Sequence, residues 1–184
     1  MLQAKIQEFD IPVVEVHDKF ESARALVEYT RSLRGVEGFI ADFDGHKVKV
    51  KAAQYITIHK MKDLIRSERN IADIIVNEQL DDVLPFLDAD DQATVHAYEL
   101  RFYAALENVL GRLEGLANLA RVLHGGVKKE VALNFIPNLI NKEDAPFIFS
   151  ALDGKELRPL VIKKIKDSVG NSSKYDALMA WMEA

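Results

Sequence analysis

Apolar and polar residues change their rhythm at about residue 60 of this chain. Before that point the pattern is mixed. Ile11-Pro-Val-Val-Glu-Val16 is a short β-rich run. Asp18 is placed to cap a helix that reaches Arg34, with Phe20, Ala23, Leu26, Val27 and Thr30 on one stripe and Gly35 at its end. Glu37–Phe43 and His46–Ala52 read as two strands, joined at Asp44-Gly45 in a hairpin turn. Tyr55–Ile58 reads as a continuation of the extended chain.

After Met61 the period is helical almost throughout. One helix is expected over Lys62–Leu80, with Leu64, Ile65, Ile71, Ile74 and Ile75 facing a core. A long helix opens at Asp90 or Asp91. It carries Val95, Phe102, Leu106, Val109, Leu113, Leu116, Ala120 and Leu123 at 3/4 spacing and stops at Gly125-Gly126. Shorter helices follow over Lys128–Leu139, Ala145–Leu152, Leu157–Val169 and Ser173–Met182. Gly111 and Gly115 lie one turn apart in the long helix, where close packing against a neighbour would use them. The expected class is α+β: a small N-terminal part containing a β-hairpin, residues 1–60, and an all-helical C-terminal domain, residues 61–184.

Composition narrows the class. Of 184 residues 48% are hydrophobic and 29% charged, which supplies a real core and argues against wholesale disorder. With no cysteine, disulfides and thiolate metal sites are excluded, and a reducing cytoplasm is the natural compartment. No apolar run approaches the roughly 20 residues that span a bilayer, so no membrane partner is expected. The net charge of -5 excludes a basic coat over the whole surface. Charge is nonetheless uneven. Lys155, Arg158, Lys163, Lys164 and Lys166 crowd one segment, which reads either as a solvated helix face or as a set of RNA-phosphate contacts. Residues 78–91 hold six acids and no base and read as an interhelical connection. An EF-hand is excluded there because the Asp/Asn spacing and the glycine are absent. His96 and His124 lack partners at metal-ligand spacing.

The chemistry is concentrated before residue 60. In Lys47-Val-Lys-Val-Lys-Ala52 strict alternation puts three lysines on one strand face and the apolar residues on the other. Taken alone, such a strand is an edge defended by charge. Its setting adds to that, since Glu37-Gly38-Phe39-Ile40 opens the preceding strand and Tyr55 and His59 follow.

These residues resemble the covalent nucleotidyltransferases, and among them the phage ATP-dependent RNA ligases that repair broken tRNA. The family's fourth motif, Glu-Gly-hydrophobic-hydrophobic, is matched by Glu37-Gly38-Phe39-Ile40. Its fifth, Lys-hydrophobic-Lys, is matched by Lys49-Val50-Lys51. The tRNA-repair extension Lys-x-Lys-x-x-x-Tyr-x-x-hydrophobic-His is matched by Lys49, Lys51, Tyr55, Ile58 and His59. The motif match spans residues 36–59. A helical rather than β-rich continuation also agrees with that group.

The resemblance implies ATP and Mg²⁺ as cofactors and RNA, tRNA in particular, as partner. Lys49 and Lys51 would act catalytically on the nucleotide phosphates, and Glu37 would hold the metal or its water shell. In such ligases a lysine attacks the ATP α-phosphorus, AMP passes to an RNA 5′-phosphate, and a 3′-hydroxyl displaces it. Fixed cations stabilise the charge that builds on phosphate oxygens. The nucleophilic lysine of this family sits in Lys-x-(Asp/His/Asn)-Gly, and no such tetrapeptide occurs here. The expectation is a C-terminal portion of a ligase, a split half that works with an N-terminal half in trans, or a decayed remnant. The alternatives are a noncatalytic RNA- or tRNA-binding helical module with vestigial motifs, and a protein-interaction helical domain with a lysine-rich edge hairpin. One geometric expectation follows. A strict two-residue turn at Asp44-Gly45 puts Glu37 opposite Ala52, away from the lysines. Bringing it onto the lysine face calls for a bulge between Asp42 and Lys47, and a regular two-residue turn there counts against Glu37 as a site residue.

Overall fold

A computed structural model describes residue 16 and residues 20–184. The expected β-rich run at 11–16 (Val16 apart) and the Asp18 cap lie outside these described residues. The described chain is a small two-stranded antiparallel hairpin followed by helices. It divides into two compact units that meet at Thr57 and Ile58.

In the first unit, α1 spans Ala23–Ser32 and is capped by Ser22, whose hydroxyl accepts from the Ala25 N–H at 3.1 Å. Leu26 and Thr30 are its buried positions, and the Thr30 hydroxyl donates to the Leu26 carbonyl at 2.7 Å. Strands β1, Gly38–Phe43, and β2, His46–Lys51, pair in one register from Gly38↔Lys51 to Phe43↔His46. Asp44 and Gly45, at φ 52° and 90°, make a regular two-residue turn, closed by the Gly45 N–H on Asp42 Oδ1 at 2.7 Å. The bulge expected between Asp42 and Lys47 is therefore absent.

Opposed residues share a face. Lys47, Lys49 and Lys51 stand with Asp42, Ile40 and Gly38, and Phe39 and Val50 stand on the other side. That second face meets α1, where the Phe39 ring stacks on Tyr29 at 6.1 Å.

Helix α2 spans Ala53–Ile65, so Tyr55–Ile58 is helical and not extended. A run of β-branched residues after Tyr55 suggests a strand by propensity. Here the local backbone overrides them: the Ile56 N–H bonds the Ala52 carbonyl at 3.2 Å, and the Thr57 hydroxyl bonds the Ala53 carbonyl at 3.1 Å.

In the second unit the helix expected over Lys62–Leu80 is interrupted. After the end of α2 at Ile65, α3 begins at Glu68 and runs to Val76, and the Asn70 and Ile71 N–H groups are satisfied by the Ser67 carbonyl. The acidic connection is itself helical, with α4 at Leu80–Val83 and a 3₁₀ turn at Leu84–Phe86. Helix α5 spans Ala89–His124. It is capped by Asp88 and closed by Gly125 in the left-handed conformation at φ 62°. Lys62 reaches Asp88 and Asp91 at 2.5 and 3.1 Å.

The core forms along α5, where Val95, Phe102, Leu106, Val109 and Leu113 are essentially inaccessible. Leu123, expected on that stripe, is exposed. So are Gly111 and Gly115, and a Cβ at either would meet nothing within 4 Å. Close helix packing is therefore not their reason. The short α6, Lys128–Glu130, continues through a π turn and a 3₁₀ turn to Asn138. Helices α7, Ala145–Leu152, α8, Leu157–Val169, and α9, Ser172–Glu183, complete the packing. Asp144 is 2% exposed and accepts from Trp181 Nε1 at 2.8 Å, with Arg112 at 3.3 Å. Among the described residues no helix is long and apolar enough to cross a membrane.

Candidate phosphate site on the hairpin

Glu37 precedes β1, and its carbonyl accepts from the Ala52 N–H at 2.9 Å, which continues the strand register by one pair. Strict alternation from that register would aim its side chain away from the lysines. The structure puts it among them, with Glu37 Oε1 2.6 Å from Lys49 Nζ. The departure lies at Gly38, at φ 139°. Alternation of side chains holds only between residues in the β basin, and Gly38 is outside it. A Cβ at Gly38 would come to 2.1 Å from the Val50 carbonyl oxygen and 2.8 Å from Lys51 Cα. The irregularity expected at the turn is thus found at the other end of the strand, and the glycine of Glu-Gly is its physical requirement.

Tyr55 completes the group. The chain leaves β2 at Lys51, turns at the fully buried Ala52 and enters α2, which sets Tyr55 in the first turn of that helix. The Lys51 ammonium lies 5.4 Å from the centre of the Tyr55 ring. The Tyr55 hydroxyl hydrogen-bonds the Glu37 carboxylate. The approach to Glu37 is fixed from behind as well, because the Gly35 N–H donates to Gln54 Oε1 at 3.0 Å.

The electrostatics follow from these contacts. The Lys49 ammonium, and after it the Tyr55 hydroxyl, hold the Glu37 carboxyl below the usual carboxylate range. The same carboxylate raises the Lys49 ammonium. Lost hydration, and then the Glu37 carboxylate, push the Tyr55 phenol up. All four side chains reach solvent.

The structure therefore brings together Glu37, Lys49 and Lys51, and adds Tyr55, whose role the sequence left open. His59 lies one helical turn beyond Tyr55 and is exposed. Among the described residues, Glu37 is the carboxylate paired with Lys49, and Lys51 acts on it electrostatically. Among the described residues no group of three or more His, Cys, Asp or Glu could hold a metal. One carboxylate fits Mg²⁺ only where phosphate oxygens and water supply the remaining ligands, which is the usual way Mg²⁺ binds with nucleotides.

Of the five basic residues at 155–166, two are held by acids. Arg158 is ion-paired with Glu107. Lys164 pairs with Glu143 at 2.6 Å and lies 4.9 Å from the Trp181 ring. Lys155 precedes α8, and Lys163 and Lys166 are exposed on it without an ion pair among the described residues. Lys163 and Lys164 nonetheless border one open surface cavity, together with Lys174. His96 contacts Glu99 at 3.2 Å, and His124 meets Phe135 edge-on. Neither takes part in a site.

No protein-family model, curated protein or solved structure matches the chain.

Proposed function

We propose that this chain is the C-terminal portion of an ATP-dependent RNA ligase of the tRNA-repair type, joining RNA 5′-phosphate and 3′-hydroxyl ends. The observation that carries the reading is the convergence of Glu37, Lys49 and Lys51 at the end of one hairpin, through a glycine whose conformation and close backbone contacts disfavour any side chain. Two ammonium groups on alternate positions of β2 are spaced to meet neighbouring phosphate oxygens. Glu37 and phosphate oxygens would hold Mg²⁺, which supplies charge neutralisation at the reacting phosphate. Lys49 then exchanges its carboxylate partner for phosphate, and both lysines stabilise the negative charge that develops during transfer. The nucleophilic lysine is absent from the sequence, so AMP transfer needs it from an N-terminal half. The proposed setting is a bacterial or phage-infected cytosol.

The second reading is a noncatalytic RNA- or tRNA-binding module. The missing nucleophile motif favours it. The pairing of Arg158 and Lys164 with acids, and of Lys49 with Glu37, weighs against a broad phosphate-binding surface.

One assay separates the two. The chain is mixed with an N-terminal ligase half, and joining of a cleaved anticodon loop is measured. Rescued joining that is lost in Glu37→Ala and Lys51→Ala supports the ligase reading. Rescue that persists unchanged in both sinks the assignment of these residues. The binding module predicts instead no rescue, with tRNA retention on filters that weakens steeply with salt.

A further inference from the structure

Glu37, Lys49 and Lys51 come from two strands and carry long side chains with many accessible rotamers. On an exposed two-stranded hairpin nothing in the strands themselves fixes where three such charges stand. Tyr55 differs from them. It has two side-chain torsions, and it is set on the first turn of a 13-residue helix. It meets one group from each side of the hairpin, the Glu37 carboxylate through its hydroxyl and the Lys51 ammonium through its ring face.

Resting on the ligase reading above, we propose that Tyr55 is the positioning residue of this site. Its hydroxyl fixes Glu37, its ring face fixes Lys51, and through Glu37 it also sets Lys49 at 2.6 Å. A phosphate group with its divalent cation would then meet charges already in place, which limits the ordering cost of binding. The two contacts use different parts of the side chain. Tyr55→Phe removes the first and keeps the second, and Tyr55→Leu removes both.

The test uses the full chain with ¹³C-labelled Glu and Lys. In Tyr55→Phe the Glu37 carboxyl titration moves up toward the ordinary carboxylate range while the hairpin amide spectrum stays intact. Inorganic tripolyphosphate at low salt shifts the Lys49 and Lys51 side-chain signals of the parent chain. Tyr55→Leu weakens that response about two- to five-fold, and Tyr55→Phe weakens it less. A Glu37 titration unchanged in Tyr55→Phe overturns the proposal, as does full tripolyphosphate affinity in Tyr55→Leu. A parent chain whose lysines ignore tripolyphosphate overturns the phosphate reading of the site instead, and the Glu37 titration still decides the role of Tyr55.

Discussion

Gly38→Ala is the sharpest perturbation of this chain. A left-handed backbone costs a residue with a Cβ about 1–3 kcal/mol. The contact is worse, since the new methyl would stand 2.1 Å from the Val50 carbonyl oxygen and 2.8 Å from Lys51 Cα, both backbone atoms that cannot rotate aside. Relief needs the strands to part by more than an ångström at that end. That movement breaks the Ala52 N–H bond to the Glu37 carbonyl and withdraws Glu37 from Lys49. The backbone strain and the lost strand hydrogen bond together cost about 3 kcal/mol or more. An isolated two-stranded hairpin is marginal in water, so a loss of this size opens it. The assay is amide hydrogen exchange by NMR. Protection should collapse at Phe39–Lys51, while Val95, Phe102 and Leu106 of α5 keep theirs, because the second unit has its own buried core. If Gly38→Ala keeps wild-type strand protection together with a wild-type Glu37 titration, the role assigned to Gly38 is wrong.

Three further outcomes are expected. Incubation with labelled ATP and Mg²⁺ leaves no AMP adduct on the isolated chain by mass spectrometry, and an adduct would show that a nucleophile was overlooked. Asp144→Ala leaves the Trp181 N–H and the Arg112 guanidinium without their buried acceptor and costs about 3 kcal/mol or more in urea unfolding. A loss under 1 kcal/mol there would remove Asp144 from the stabilising contacts of the core. Glu37 has a lowered carboxyl in the folded chain, so its contribution is present above the ordinary carboxylate value and is lost as pH falls through the lowered one. Strand protection should therefore decline on acidification more in the parent chain than in Lys49→Met, and equal declines would refute the coupling.

What could be read from the sequence was whatever depends on near neighbours. The 3/4 spacing of Val95, Phe102, Leu106, Val109 and Leu113 is a helix face whatever surrounds it, and those residues are the core. Asp44-Gly45 specified its turn because few other pairs tolerate two positive φ values. Tyr55–Ile58 misled because Tyr, Ile and Thr suit strands, while the backbone bonds that settle the matter begin at Ala52. Gly111 and Gly115 suggested a close contact, and the structure leaves open space there. The membership of Glu37 was legible as a motif, but its geometry was not. Counting alternation assumes that every residue lies in the β basin, and a glycine is the residue for which that assumption is least safe.

Stability is a poor account of the Glu37 cluster. The Glu37–Lys49 pair is half exposed on both sides, and such pairs contribute little to folding. The conformation at Gly38 is one that L side chains rarely adopt, and Lys51 is spent on a ring face at the surface. A hairpin selected only to persist would gain more from an apolar residue at 37 and from strands in regular alternation. The arrangement makes sense where charges must be exchanged. An exposed carboxylate–ammonium pair opens at small cost. Once open, it presents one group for a cation and one for an anion within a few ångströms, and a second ammonium stands beside them. A phosphate that carries its own divalent cation, as the proposed function requires, would use both halves at once. Tripolyphosphate should therefore displace Glu37 from Lys49 more readily with Mg²⁺ than without it, since only then does each member of the opened pair gain a partner.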